Sequence, residues 1–223
     1  MTTPLRPAGS AVLVRPEPTQ LHQLPFPHAV FDPGALLAPA TAARLAATFP
    51  AGLLRTATTA GQERRSDKTY AVNAFTLHHH GRTAPEADRL DDSWRRLTGE
   101  LAAPDYGRRI CKLLGLPDAD ITVELRLTEY VRGGWMSRHT DRPDKAFSQN
   151  IYLCPGWRPQ WGGGLGLYAE PRQALPVRTF TPGGGNSLAF ARSDDSWHEV
   201  FPVTAQARAP RRALLVHAYW GRP

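Results

Sequence analysis

Cysteine is almost missing from this chain of 223 residues, which contains only Cys111 and Cys154. Two isolated thiols build no disulfide framework, and a reducing, cytoplasmic compartment is the expectation. There is no run of about 18 apolar residues, so no membrane-spanning helix is expected. The first twenty residues lack an apolar stretch ahead of a cleavage site, which argues against a secretory signal. Internal repeats are absent. Lys and Arg (27) outnumber Asp and Glu (20) for a net charge of +7, yet basic residues never alternate with aromatics. Nucleic acid is therefore not an expected partner, and neither is a membrane. The charge instead suits an acidic co-substrate and an acidic or carrier-bound small-molecule substrate. The length fits one domain with its own core, and nothing in the composition sets an oligomeric state.

Three regions of a single structural domain can be distinguished. Residues 1–28 carry Pro4, Pro7, Pro16, Pro18, Pro25 and Pro27 and read as an extended arm with at most a short strand at 11–14. Residues 29–118 read as a helical support. A short strand at 28–31 precedes a helix from Pro39, with Ala42, Leu45, Ala46 and Phe49 on one face and Pro50 as a stop. Residues 55–68 are polar and expected to form a loop, 70–77 a strand, and His78-His79-His80 a solvated turn. Leu90, Trp94, Leu97 and Leu101 then recur at helical spacing within a helical region over 85–114, interrupted at Pro104 and capped by Gly115.

From residue 119 the period becomes two. In 121–130, Val123, Leu125 and Leu127 share one face, and Glu124, Arg126, Thr128 and Tyr130 share the other. Further strands are expected at 148–153, 165–168, 177–180, 187–190 and 213–220, with Gly162-Gly163-Gly164 and Gly183-Gly184-Gly185 as turns between them. No helical pattern interrupts 119–223. A mainly β fold follows, an antiparallel barrel or jelly roll whose N-terminal helices pack on one sheet.

His139-Thr140-Asp141 is the chemically loaded stretch. On a strand, residues two apart point the same way, so His139 and Asp141 can reach one ion together. His198, far downstream, is the leading third ligand. Two imidazoles and one carboxylate on one side of an iron leave positions open for a co-substrate and oxygen. Arg211, on a later strand, offers a two-pronged partner for the remote carboxylate of a dicarboxylate co-substrate. Arg208 competes for that role, whereas Arg212 should point away if Arg211 points in.

Together with Tyr152-Leu153-Cys154-Pro155-Gly156-Trp157, Trp161 to Leu165, and Ser196 to Val203, these stretches resemble the Fe(II)/2-oxoglutarate-dependent dioxygenases, in particular their prolyl-hydroxylase-like branch. The resemblance covers about residues 119–220. It implies a double-stranded β-helix (jelly roll, cupin-like) that binds Fe(II) through His139, Asp141 and His198. It implies 2-oxoglutarate as co-substrate, its C5 carboxylate on Arg211 and Tyr152, with Tyr130 as a further contact, and O2 as oxidant. The implied activity is hydroxylation of an unactivated C–H with release of succinate and CO2. Members that halogenate carry a small residue in place of the carboxylate, so the presence of Asp141 points to hydroxylation.

The substrate side is expected on the face of Glu124, Arg126 and Thr128, joined by Asn150 and His217. Arg126 there has two roles open to it, binding an acidic group of the substrate or pairing with Glu124 or Glu129. The first expectation is a small molecule, an amino acid or natural-product intermediate. The alternatives are a protein hydroxylase of prolyl type and a non-enzymatic barrel that binds metal or ligand.

Overall fold

The computed structural model describes residues 12–13, 17–58, 68–79 and 81–221. The elements run β1 (Gln20–His22), β2 (His28–Phe31), α1 (Pro39–Ala47), β3 (Arg55–Thr58), β4 (Tyr70–His79), β5 (Arg82–Thr83), α2 (Asp92–Ala102), α3 (Pro104–Leu113), β6 (Ile121–Tyr130), β7 (Trp135–His139), β8 (Lys145–Leu153), β9 (Leu165–Tyr168), β10 (Arg178–Phe180), β11 (Gly184–Ala191), β12 (Trp197–Val200) and β13 (Arg211–Trp220). The strands are hydrogen-bonded in the order β1-β2-β11-β8-β13-β6-β4-β7-β12-β9-β10, with β3 and β5 flanking β4. Every pairing is antiparallel. The sheet curls on itself as a double-stranded β-helix. Among the described residues, no helix is long and apolar enough to cross a membrane.

The alternation in β6 determines which face meets the helices. Val123, Leu125 and Leu127 join the core formed with Trp94, Leu97 and Leu101 of α2 and Ile110 of α3. Trp94, Leu97 and Leu101 are fully buried, and each contributes roughly 1.5–3 kcal/mol to that packing. Asp91 caps α2 by accepting the Trp94 N–H at 3.1 Å, satisfying one of the first-turn donors. Pro104 opens α3, where its missing N–H costs nothing, and Gly115 (φ 69°) follows that helix. The opposite face of β6 turns into the barrel, toward a second cluster that includes Val72, Leu165, Phe190 and Val200.

Several local expectations need correction. Arg55–Thr58 is a strand on β4 rather than loop, and 59–67 lie outside the described residues. His78 and His79 end β4 instead of forming a solvated turn, because β6 extends the pairing to Leu125 and Thr83 Oγ1 meets His78 Nδ1 at 2.9 Å. His80 lies outside the described residues. Leu13 makes only an isolated bridge to Leu37, while 11 and 14 lie outside. The stretch 29–118 supplies strands as well as helices, since β2 pairs with β11 and β4 joins β6 to β7.

Candidate metal centre

β7 ends on His139, and β12 runs antiparallel beside it with His198 directly opposite. The next residues outward, Arg138 and Glu199, form an ion pair at 3.5 Å that ties the two strands. Asp141 lies in the loop after β7, so its approach to His139 does not come from strand parity as expected. The loop brings it back because Lys145 and Ser148 of β8 grip the carboxylate. Lys145 Nζ donates to Oδ1 at 2.8 Å and Ser148 Oγ donates to Oδ2 at 2.6 Å. One ligand atom from each of His139, Asp141 and His198 lies within 4.8 Å of the others. All three residues are buried, at 7%, 8% and 6% exposure.

Both imidazoles are oriented by the same device. Nδ1–H of His139 donates to Ser137 O at 2.8 Å, and Nδ1–H of His198 donates to Ser196 O at 2.9 Å. This tautomer, inferred from the carbonyl partner, turns each Nε2 lone pair toward the cavity, the arrangement metal-ligating histidines use. His198 Nε2 stands 4.0 Å from Asp141 Oδ2. Burial, with His198 and Lys68 adding to it, holds His139 well below its usual range. Burial also lowers His198, against the pull of Asp141. For Asp141, burial pushes the carboxyl up, but Lys145 and the neighbouring imidazoles outweigh it and leave it well below the usual carboxylate range. At neutral pH the set is therefore two neutral imidazoles and one carboxylate, which need lose no proton to bind a cation. Two nitrogens and one oxygen suit a divalent first-row metal with open positions.

The facing strands lay the remaining residues out in rows. Arg211 pairs with Tyr130, Ala213 lies between Thr128 and Tyr152, Leu215 between Arg126 and Asn150, and His217 between Glu124 and Ser148. At the far end of this grid Arg211 is 0% exposed. Its Nε donates to Gly163 O at 2.6 Å, while Nη1 and Nη2 have no partner, and neither has the buried hydroxyl of Tyr152. The guanidinium lies over the rings of Tyr130 and Tyr152, at 4.9 and 5.0 Å from their centroids. Burial pushes the Tyr152 phenol up to about 12, against the pull of Arg211. Gly163 adopts φ +67°, and a Cβ there would come within 3.0 Å of Arg211 Cδ, so the turn leaves the arginine its room. Buried donors this close together are costly unless an acceptor meets them. A carboxylate would satisfy the fork and the hydroxyl at once, so the residues fit a dicarboxylate co-substrate. Arg212 instead faces away, donating to Glu129 at 2.9 Å, and Arg208 is exposed.

A cavity of about 180 Å³ joins the ligand set to Tyr130, Arg126, Thr128, Asn150 and His217. Glu124 lies outside its enclosed part, in the open approach, where it meets His217 Nδ1 and His79 Nδ1, each at 3.1 Å. Thr128 spends its hydroxyl on Ala213 O at 3.3 Å. Sequence reasoning placed Lys68 only at the end of a polar loop, and it missed Lys145 and the role of Ser148. What exposes Lys145 is structural: it opens a strand whose nine residues are all buried, and a buried lysine needs a partner.

The sequence profile of the 2OG-Fe(II) oxygenase superfamily matches residues 125–219. No curated protein matches the sequence. Among solved structures, the chain is similar to a prolyl-4-hydroxylase from Pseudomonas putida (23% identity, 87% of this chain and 93% of that one, TM-score 0.57). It is also similar to an oxidoreductase of the 2OG-Fe(II) oxygenase family from Burkholderia pseudomallei (17% identity, 86% and 84%, TM-score 0.58). A third is a prolyl hydroxylase from Trichoplax adhaerens in complex with a peptide fragment of the hypoxia inducible factor oxygen degradation domain (18%, 86% and 83%, TM-score 0.55). At these identities the structures speak for the shared fold. The profile match spans His139, Asp141, His198 and Arg211 alike, so over residues 125–219 the chain is similar to the 2OG-Fe(II) oxygenase superfamily, whose members use Fe(II), 2-oxoglutarate and O2.

Proposed function

We propose that the protein hydroxylates an unactivated C–H of a small molecule, an amino acid or natural-product intermediate, releasing succinate and CO2. His139, Asp141 and His198 would hold Fe(II), and Arg211 with Tyr152 would take the C5 carboxylate of 2-oxoglutarate, beside Tyr130. The observation that carries this reading is the orphaned Arg211 fork and Tyr152 hydroxyl at one end of a barrel with the three ligands further along it. Bound there, iron and 2-oxoglutarate supply the oxidising power for C–H hydroxylation, with O2 as the oxidant.

The chain's own residues orient and exclude. Lys145 and Ser148 fix the direction of the Asp141 carboxylate. Met136, Leu165, Phe190 and Val200 wall the cavity with apolar surface, which limits water beside the reacting carbon. The enclosed volume is smaller than the roughly 300–1,000 Å³ of drug-sized sites. It suits the co-substrate and one compact reacting group, with the rest of the substrate in the open approach.

That geometry also accommodates a side chain presented by a peptide, and the Pseudomonas and Trichoplax neighbours are prolyl hydroxylases. Protein hydroxylation is therefore the second reading. One experiment separates the two. The protein is incubated with Fe(II), 2-oxoglutarate and O2, and succinate is measured together with added oxygen, by mass spectrometry, across a metabolite panel and a panel of proline-containing peptides. The first reading predicts a hydroxylated metabolite. Hydroxylated peptide alone supports the second, and well-folded, iron-loaded protein that forms no succinate refutes both.

A further inference from the structure

Arg126 occupies the row between the arginine end of the barrel and the row of Glu124 and His217. Its Nε is buried and has no hydrogen-bond partner, and among the described residues no ion pair reaches it. The two carboxylates that could have neutralised it are engaged elsewhere, Glu124 by His217 and His79 and Glu129 by Arg212. Lys68 lines the same cavity, and its ammonium lies 5.9 Å from the centroid of the Tyr70 ring. Burial lowers that ammonium to about 8, with Lys145 and Arg126 pushing the same way against Asp141. It thus sits among cations in a place that disfavours its own charge.

The charges around this cavity do not balance. In a loaded site the two positive charges of Fe(II) match the two negative charges of 2-oxoglutarate. Asp141 and Lys145 cancel at 2.8 Å. Arg211, Arg126 and Lys68 remain, all positive. Glu124, in the approach, offsets one of them. Arg211 is fully buried, and Arg126 and Lys68 are half-buried; cations so screened from water without a counter-charge are unfavourable, and balancing them requires an anion that neither cofactor nor protein provides.

We propose that the substrate is an oxyanion, its carboxylate or phosphate group seated between Arg126 and Lys68, with the C–H to be oxidised held toward the iron. This rests on the reading of the site given above. Arg126 is then a specificity-determining residue, selecting the charged form of a substrate over its neutral amide or alcohol counterpart.

The test uses the full chain loaded with Mn(II) and saturating 2-oxoglutarate, titrated separately with inorganic phosphate and acetate. The paramagnetic ion enhances phosphorus or carbon NMR relaxation of an anion bound beside it. We expect saturable enhancement for at least one anion, and the tighter of the two assigns phosphate or carboxylate as the group. Arg126→Gln should weaken that binding by about tenfold or more, the loss of a hydrogen bond between charged groups. Arg126→Lys should restore most of it. The 2-oxoglutarate affinity of both variants should stay within about twofold of the parent.

A loaded protein that ignores both anions overturns the proposal, and so does binding that survives Arg126→Gln. A tenfold fall in 2-oxoglutarate affinity in that variant also overturns it, since Arg126 would then serve the co-substrate. A parent chain that takes up neither Mn(II) nor 2-oxoglutarate fails earlier and refutes the reading of the site itself.

Discussion

Replacing Arg211 by Met should leave the stability of the free protein nearly unchanged while sharply weakening its affinity for 2-oxoglutarate. In the free protein the guanidinium is fully buried and only Nε is hydrogen-bonded. Substitution loses that bond, worth about 1 kcal/mol, and the contacts with Tyr130 and Tyr152, worth roughly 0.5–2 kcal/mol each. It also removes a buried, uncompensated cation whose desolvation costs several kcal/mol. The two sides nearly cancel, so the melting temperature without ligand should stay within about 4 °C of the parent. Ligand binding loses the whole interaction with the C5 carboxylate, about 3 kcal/mol or more, a Kd raised roughly a hundredfold. At 2-oxoglutarate a hundred times the parent's Kd, the parent gains about 2.7 kcal/mol, or about 5–11 °C for a chain of this size. The variant gains about 0.4 kcal/mol, a shift of about 1–2 °C. Thermal melts of the Mn(II)-loaded protein with and without 2-oxoglutarate measure both numbers, with Arg208→Ala as an exposed control that keeps the full shift. A ligand-induced shift that survives in Arg211→Met, or vanishes in Arg208→Ala, refutes the assignment.

Three further outcomes follow from the same geometry. Tyr152→Phe removes a buried hydroxyl with no partner, so the free protein should be as stable as the parent or slightly more so, while calorimetry shows 2-oxoglutarate binding about tenfold weaker. Lys145→Met strips Asp141 of its ammonium and should destabilise the metal-free protein by about 3 kcal/mol. A divalent cation replaces the lost charge, so the Mn(II)-induced rise in melting temperature should exceed the parent's, and a smaller rise would contradict the pairing. Acidification should destabilise the metal-free protein. Burial, helped by Lys145, lowers His217 to about 4 in the fold, so the unfolded chain takes up the proton first. The stability is present above about pH 6.5 and is lost as pH falls toward 4, about 2 kcal/mol by pH 5. His139 and His198 act in the same direction, and His217→Gln should flatten that part of the denaturation profile.

How much of this was legible in the sequence differs by element. The alternation from Val123 to Tyr130 announced both the strand and its two faces, because one face meets helices and the other a cavity. The strands at His139 and His198 gave no such pattern. Trp135 to His139 and Trp197 to Val200 are short and only partly buried, and their polar residues serve the site and the Arg138–Glu199 tie rather than a core. Strand parity sets Arg212 apart from Arg211 but leaves Arg208 open, and burial distinguishes all three. Lys145 went unread because its partner is decided by a loop. A lysine four residues after an aspartate is ordinary on a surface, and only the complete burial of β8 makes it informative. His79 was similarly opaque, since its meeting with Glu124 depends on how far β4 pairs with β6.

The claim on which the rest depends is that His139, Asp141 and His198 hold one iron with 2-oxoglutarate beside it. Anaerobic equilibrium dialysis of the full chain against Fe(II) and 2-oxoglutarate tests it most directly. The account predicts one iron and one 2-oxoglutarate per chain, with His198→Ala and His139→Ala each losing the iron while keeping the parent's fold by circular dichroism. Iron binding at full stoichiometry in both variants would contradict it.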